Sequence, residues 1–442
     1  MEEPVPRPNG RSAGPRGRKR LPAAAVCDFA LLNPVPGGTF ATQLAGAHMT
    51  SISHSATTAE VQAAPQARAR NFALDRARTF LTLVVLIHHA VIPYTYFGHT
   101  DPKSFLGFDM VVLATDSFFM AMFFFLSGLF VWPSITHKAP HIFLRDRLLR
   151  LGLPFVIAAF TLIPIAYYSF ELRQHPDVSF AAFWWKTITV GPWPSGPVWF
   201  VWVLLAFDLT ASLLYRLSPK LVDPINRLSL RAFERPADFY VVLVVVTAIL
   251  YIPARVHFGA GRWFTFGPFD IQASRVLLYA AYFFIGAGIG AANFDRGLLS
   301  ADGQLAKSGW GWAVATLVPY CLLWGLIAIK REILGNPVIL PDWYEASYGL
   351  FFVAFSAAIL LAILAYFLRF KRSGWSLLDP LQPAAFGMFL VHYPIVLWLQ
   401  YWLFDYDLPA VVKALVAFVA TVALSWAATA ALRKIPGATR VL

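Results

Sequence analysis

The stretch RTFLTLVVLIHHAVIPYTYFG, residues 78–98, is an apolar run that begins with an arginine and contains two adjacent histidines. Its length is close to the ~20 residues that an α-helix needs to cross the ~30 Å hydrocarbon core of a bilayer. The whole sequence of 442 residues is 58% hydrophobic and only 14% charged, which is far more apolar than a soluble domain of this size. We therefore predict that residues 78–98 contain the first span of an integral membrane protein.

Similar apolar runs follow at regular intervals, and most of them approach the length of a membrane-spanning helix. The predicted spans are residues 78–97, 112–133, 151–170, 197–215, 238–254, 275–292, 311–329, 346–368, 384–403 and 409–431. The sequence thus predicts an all-α integral membrane protein with about ten transmembrane helices. Residues 71–435 would form one membrane domain, followed by a short C-terminal tail at residues 436–442.

Residues 1–70 differ from the rest of the chain. They are rich in Pro, Gly, Ala and Arg, show little apolar periodicity and include the basic cluster RGRKR. Because such a segment has too little apolar surface to bury, it predicts a disordered, basic N-terminal tail. Met49 lies within this tail and is an alternative start of the chain.

The positive charges indicate an orientation. With the N-terminus inside, most Lys and Arg residues between the spans fall in inner segments, which is the bias that keeps loops in the cytoplasm. We predict that both termini are cytoplasmic, in the inner or plasma membrane. The same bias accounts for the net charge of +12, so the expected partner is the lipid bilayer and not nucleic acid. Cys27 and Cys321 form no framework, and neither a metal site nor a prosthetic group is predicted.

The first span carries the polar residues that most need an explanation. Arg78 and His89 are eleven residues apart, which on an α-helix places them within roughly 20° of one face, with a rise of about 16 Å. Asp75 is spaced to pair with Arg78, and His88 points about 100° away from His89. An ionisable group at this depth usually marks a site, and imidazole suits proton transfer. His89 is the preferred base and His88 the preferred packing residue, although the sequence leaves the choice between them open.

The second span and the segment after it add further candidates. Asp116 and Ser127 are again eleven residues apart; Asp116 would orient an imidazole or be a solvated acid at the helix end. Arg147 and Arg150 follow at helical spacing, directly before the third predicted span. Guanidinium groups bind phosphate oxygens bidentately, so this pair is suited to a phosphorylated ligand. The positive-inside bias alone would also place arginines there.

Three residues in later spans are also candidates. His392 should lie at a depth comparable to that of His89, either at the same cavity or in a hydrogen bond near Pro394. Asp208 is a carboxylate deep in the fourth span, which indicates a cavity residue or an interhelical hydrogen bond. Trp199 would stack on a sugar ring or belong to the interfacial aromatic belt.

Several of these residues stand in motifs that resemble a known family. The motifs are Asp75-x2-Arg78-x10-His89, FFFLSGLF at 123–130, FLRDRLLRLGLPF at 143–155, GPVWFVWVLLAFDL at 196–209 and FGMFLVHYPIVLWLQ at 386–400. In this order they resemble the membrane acyltransferases of acyltransferase family 3. The sequences GPVWF and LVHYPIVLW are most similar to those of the branch resembling the periplasmic glucan succinyltransferase, the glucan biosynthesis protein C type.

The resemblance implies a function. Members of the family are thought to move an acyl group, such as acetyl or succinyl, from cytoplasmic acyl-coenzyme A to a hydroxyl of an extracytoplasmic carbohydrate or lipid. The resemblance to the glucan branch implies a periplasmic glucan of the envelope as the acceptor. By position, Arg78 and His89 match the family's arginine and histidine motif, and His392 matches its late histidine. With the residues argued above, the catalytic candidates are His89, Asp116 and His392, the donor-binding candidates are Arg78, Arg147 and Arg150, and the further cavity candidates are Asp75, His88, Ser127, Trp199 and Asp208.

A protein of another class would explain some of the same residues. A secondary transporter or flippase for a sugar or lipid would use intramembrane His and Asp residues as a proton relay. Paired broken helices would favour the transporter, whereas arginines clustered beside the first span favour an enzyme that binds an anionic donor. The sequence leaves open the acyl group, the acceptor, a covalent acyl-histidine intermediate and the oligomeric state.

Overall fold

The computed structural model describes residues 71–98, 100–194, 196–292, 294–369 and 374–441. The predicted tail at residues 1–70 lies outside these ranges. Ten helices within the described part of the chain are long and apolar enough to cross a membrane, which confirms the predicted all-α membrane fold. They are α1 (Phe72–Tyr94), α2 (Leu106–His137), α3 (Pro140–Gln174), α4 (Trp199–Leu217), α5 (Pro236–Phe258), α6 (Ala273–Ala291), α7 (Gly309–Ile333), α8 (Asp342–Arg369), α9 (Gln382–Leu403) and α10 (Ala410–Leu432).

Helix α3 begins earlier than the apolar run alone predicts. Pro140 occupies the first turn, where its missing N–H costs nothing, and the helix is continuous from there. Arg147 and Arg150 therefore lie within the helix and not ahead of it. Two π-helical turns, at Leu148–Gly152 and Ala158–Leu162, interrupt α3. Each precedes a proline, and a wider turn accommodates the carbonyl groups that a proline ring would otherwise meet.

The two faces of the helical bundle differ. Because ten crossings return the chain to the side from which it started, α1 begins and α10 ends at the same face, which we call the terminal face. The opposite face carries an antiparallel hairpin between α5 and α6, with β1 (Trp263–Phe266) paired to β2 (Phe269–Gln272), and we call it the hairpin face. The hairpin is the one strand pair in the described residues, and the sequence patterns did not predict it. Short helices, Phe180–Thr189 and Asp223–Arg231, lie between spans.

The helices are buried to different extents. Helices α1, α2, α6 and α9 form the interior of the bundle, whereas most side chains of α5, α7 and α10 face outward. Two of the interior helices, α2 and α6, pack backbone against backbone. A Cβ atom at Gly286 would overlap the carbonyl oxygen of Phe125, and one at Gly290 would overlap that of Leu129. Small residues at a fixed spacing are a common way to bring membrane helices close together.

Candidate active site

The centre of the site is a pair of histidines. Helices α1 and α9 pack together and bring Nε2 of His392 to 3.2 Å from Nδ1 of His89. Both imidazoles are buried, and their ring centroids are 5.1 Å apart. The ring of Tyr393 meets the edge of His89 at 5.3 Å, and its hydroxyl donates to the hydroxyl of Tyr167. The structure thus brings together two of the three residues that the sequence indicates as catalytic.

The hydrogen bonds of the pair assign the tautomers. Nδ1 of His89 lies 3.0 Å from the carbonyl oxygen of Val85, and Nδ1 of His392 contacts the carbonyl oxygen of Phe389. A carbonyl oxygen only accepts, so both Nδ1 atoms carry hydrogen. Nε2 of His392 then has a lone pair and accepts from Nδ1 of His89. Nε2 of His89 also has a lone pair, yet it is buried with no hydrogen-bond partner among the described residues.

His88 is engaged differently from its neighbour. Its Nδ1 lies 2.6 Å from the hydroxyl of Thr115 on α2, and that hydroxyl donates to the carbonyl oxygen of Val111 at 2.8 Å. The imidazole also meets the ring of Phe119, with centroids 4.9 Å apart. These contacts join α1 to α2, so His88 is placed as a helix-packing residue.

A second group of candidates, the arginine cluster of Arg78, Arg147 and Arg150, lies nearer the terminal face. Arg78 pairs with Asp75 at 3.5 Å, as their spacing predicts, and its guanidinium carbon lies 3.9 Å from the centroid of the Phe130 ring. Its Nη2 atom is buried and has no hydrogen-bond partner among the described residues. The charge of Arg147 acts on both Arg78 and Arg150, so the three guanidinium groups share one region. A region of this kind attracts an anion such as a phosphate.

Asp208 belongs to the same region. One of its carboxylate oxygens lies 3.2 Å from Nε of Arg147, and both side chains are buried. The orientation is that of an ion pair and not of a hydrogen bond, because neither oxygen of Asp208 accepts a hydrogen bond from the described residues. Of the two predicted roles, the structure places Asp208 beside the arginines and not in an interhelical hydrogen bond.

Two of the other candidates have partners that the sequence did not indicate. Arg275 at the start of α6 binds the carboxylate of Asp116 with both Nη atoms, at 2.8 and 2.5 Å, and 26% of the Asp116 side chain remains exposed. A permanently charged, bidentate donor outcompetes an imidazole for a carboxylate. Trp199 is fully buried, stacked on Tyr279 and set against Trp263, so it offers no face to a sugar and lies outside the aromatic belt. Ser127 is buried in α2.

Sequence reasoning missed two residues that contact the site. Gln400 on α9 donates from Nε2 to the carbonyl oxygen of His89 at 2.8 Å. Gln400 is a polar residue in an otherwise apolar run, and this feature of the sequence could have indicated that it belongs to the site. Arg275, the partner of Asp116, had no local signal, because the two residues are 159 positions apart.

One comparison with known proteins identifies the family of the chain. The acyltransferase family 3 model, which describes an acyltransferase domain, matches residues 71–430. The chain therefore belongs to this family and is a membrane acyltransferase, which confirms the resemblance seen in its motifs and favours an enzyme over a transporter. None of the curated proteins and none of the solved structures matches it significantly.

Proposed function

We propose that this acyltransferase moves an acetyl or succinyl group from acyl-coenzyme A, bound at the terminal face, to a hydroxyl of a carbohydrate at the hairpin face. The observation that carries the proposal is Nε2 of His89, a buried basic nitrogen without a partner among the described residues. The arginine cluster lies between it and the terminal face.

The distribution of positive charge supports this placement of the donor and the acceptor at opposite faces. Segments rich in Lys and Arg remain in the cytoplasm, and these segments lie at the terminal face. Both termini are then cytoplasmic, where acyl-coenzyme A is made. The hairpin face opens to the outside of the cytoplasmic membrane, where envelope carbohydrates such as a periplasmic glucan are found.

The arginine cluster supports a coenzyme A donor. Its phosphates would bind Arg78, Arg147 and Arg150, and Nη2 of Arg78 has a donor to offer. Arg78 and His89 share one side of α1 with a rise of about 16 Å between them. The flexible pantetheine arm would follow that side and deliver the thioester to His89.

The reaction itself needs one base. Nε2 of His89 takes the proton of the acceptor hydroxyl while the hydroxyl oxygen attacks the carbonyl carbon of the thioester. A carbon–oxygen bond forms, the carbon–sulfur bond breaks, and the proton passes to the sulfur, which leaves an ester and free coenzyme A. His392 fixes the tautomer of His89 by accepting from its Nδ1. A positioned general base contributes about 10² to 10⁴-fold to the rate.

The test is acyl transfer from radiolabelled acetyl- and succinyl-coenzyme A to envelope carbohydrate in membranes that carry the protein. The wild type should incorporate label from one of the donors, and His89→Ala at matched expression should lose at least about 100-fold of this rate. His257→Ala, which changes an exposed histidine at the end of α5, is the control and should retain it. Incorporation that survives in His89→Ala, or none from either donor in the wild type, would refute the proposal.

A further inference from the structure

A narrow cleft opens at the hairpin face between α1, α3 and α9. Tyr94, Asp101, Arg173, Gln400 and Phe404 are among the residues that line it. Its volume of about 10 Å³ is room for roughly one water molecule. The cleft is therefore too small for a sugar ring and large enough for one hydroxyl group.

Two buried polar atoms of the lining residues have no hydrogen-bond partner within the described ranges. They are the hydroxyl of Tyr94 and Oε1 of Gln400. Buried polar groups are normally satisfied, so such a pair at one cleft points to a missing ligand. A tyrosine hydroxyl donates and an amide oxygen accepts. A donor and an acceptor are the two groups that an alcohol needs, because it accepts one hydrogen bond and donates another.

The cleft is adjacent to His89. Nε2 of Gln400 donates to the carbonyl oxygen of His89, and Pro93 in the lining follows His89 by four residues, about 6 Å along the chain. On α9, Leu397 in the lining follows Tyr393 by one helical turn, and the ring of Tyr393 contacts His89. The cleft thus lies on the opposite side of His89 from the arginine cluster.

The charged groups at the cleft are engaged by the protein. Nη2 of Arg173 donates to the carbonyl oxygens of Gln400 and Tyr401, and the guanidinium lies 3.9 Å from the ring centroid of Phe404. Asp101 pairs with Lys413 at 2.8 Å. These contacts fix the walls, and they favour a neutral ligand over an ionic one.

We infer that this cleft receives the acceptor and selects a primary hydroxyl, the exocyclic CH2OH of a sugar, over the hydroxyls attached directly to the ring. The inference rests on the proposed function, because it assumes that the acceptor is a carbohydrate. A ring hydroxyl cannot enter a space of one water molecule without its ring, whereas CH2OH projects away from it. As the hydroxyl enters, Tyr94 would donate to its oxygen and Oε1 of Gln400 would accept its hydrogen. For the reaction this hydrogen would turn from Gln400 to Nε2 of His89, about one helical turn away.

The test is protection of a cysteine at the rim of the cleft. Thr100→Cys is introduced into the full chain with Cys27→Ser and Cys321→Ser, and its modification by a membrane-impermeant maleimide is timed in membranes. The probes are methyl β-glucopyranoside, which has a CH2OH group, and methyl β-xylopyranoside, which lacks it. The glucoside should slow the modification. Equal protection by the xyloside should require a concentration at least about tenfold higher, which is the loss of affinity expected when one good polar contact is missing.

Two tyrosine variants provide the matched comparison. Tyr94→Phe should raise the glucoside concentration for half protection by roughly 3 to 10-fold, the effect of one lost hydrogen bond. Tyr282→Phe removes a buried hydroxyl that donates to Ser356 between α6 and α8, and it should leave this concentration unchanged.

Equal protection by the two sugars, protection by neither, or equal effects of the two tyrosine variants would overturn the inference. The outcome is separate from that of the proposed function. Protection specific to the glucoside in a protein that transfers no acyl group would refute the acyl transfer and support the sugar site. Acyl transfer without such protection would do the reverse.

Discussion

Variants of the buried ion pair of Arg147 and Asp208 distinguish its contribution to stability from its contribution to donor binding. Removal of one partner of such a pair leaves a buried charge and costs about 3–5 kcal/mol, whereas replacement of both by apolar side chains is often neutral. The two partners are not equivalent. A carboxyl left alone becomes neutral by binding a proton, but a guanidinium stays charged. Asp208→Leu should therefore destabilise the protein by about 3–5 kcal/mol, Arg147→Met by only about 1–3 kcal/mol, and the double variant least.

The assay has two parts. Unfolding of the purified protein in detergent gives the stabilities, and the KM for acyl-coenzyme A gives the donor affinity. The double variant should be close to wild type in stability and yet have a KM raised at least about tenfold, because it lacks an arginine of the cluster. Arg145→Met, two positions away on the same helix and well exposed, is the control and should change stability by less than about 0.5 kcal/mol. Equal losses in the two single variants, or a double variant with the wild-type KM, would refute the reasoning.

Three further predictions concern other parts of the molecule. Burial of Asp270 in β2, outside the membrane spans, raises the pKa of its carboxyl to about 7 from 3.8, so the folded state binds a proton that the unfolded state has lost. Thermal stability should fall from about pH 4 to about pH 7 and level off above it, and Asp270→Asn should remove this fall; an unchanged profile would contradict the assignment. Gly286→Val should lower stability by about 1–3 kcal/mol through overlap with α2 in a thermal unfolding assay, and Gly325→Ala, which has open space around it, should not. His392→Phe should lower kcat about tenfold with the KM for acyl-coenzyme A unchanged, and His392→Gln, which keeps an acceptor for Nδ1 of His89, should partly restore it; equal losses would point to packing alone.

Much of this architecture follows from local features of the chain. Apolar runs of about 20 residues, separated by charged or Pro- and Gly-containing segments, determine the ten spans because the bilayer sets their length. The pairing of Asp75 with Arg78 follows from helical spacing alone. The depth of His392 in its run indicated a level comparable to that of His89. It left open whether His392 lies at the same cavity or in a hydrogen bond near Pro394, and it does not indicate which nitrogen atoms meet.

Other features depend on partners far away in the chain. Asp116 and Arg275 meet only because α2 and α6 pack at their glycines, and nothing near Asp116 indicates the partner. Trp199 is of a residue type that is common in the aromatic belt, and its burial depends on residues far away in the chain, Trp263 of the hairpin and Tyr279 of α6. The helical start at Pro140 also depends on context, since the residues after it are too polar to be recognised as a span.

The ion pair of Asp116 and Arg275 also bears on how the protein is made. The two residues are separated by 159 positions, and at about 5 to 20 residues per second the ribosome needs roughly 8 to 30 s to travel between them. During that time α2 is complete and its carboxylate has no arginine to bind. Asp116 lies ten residues into α2, and an unpaired charge favours the polar headgroup region over the interior of the bundle, so α2 does not dock in its final place before Arg275 is available. We therefore expect the interior of the bundle to close late in synthesis, once α6 has arrived beside α2.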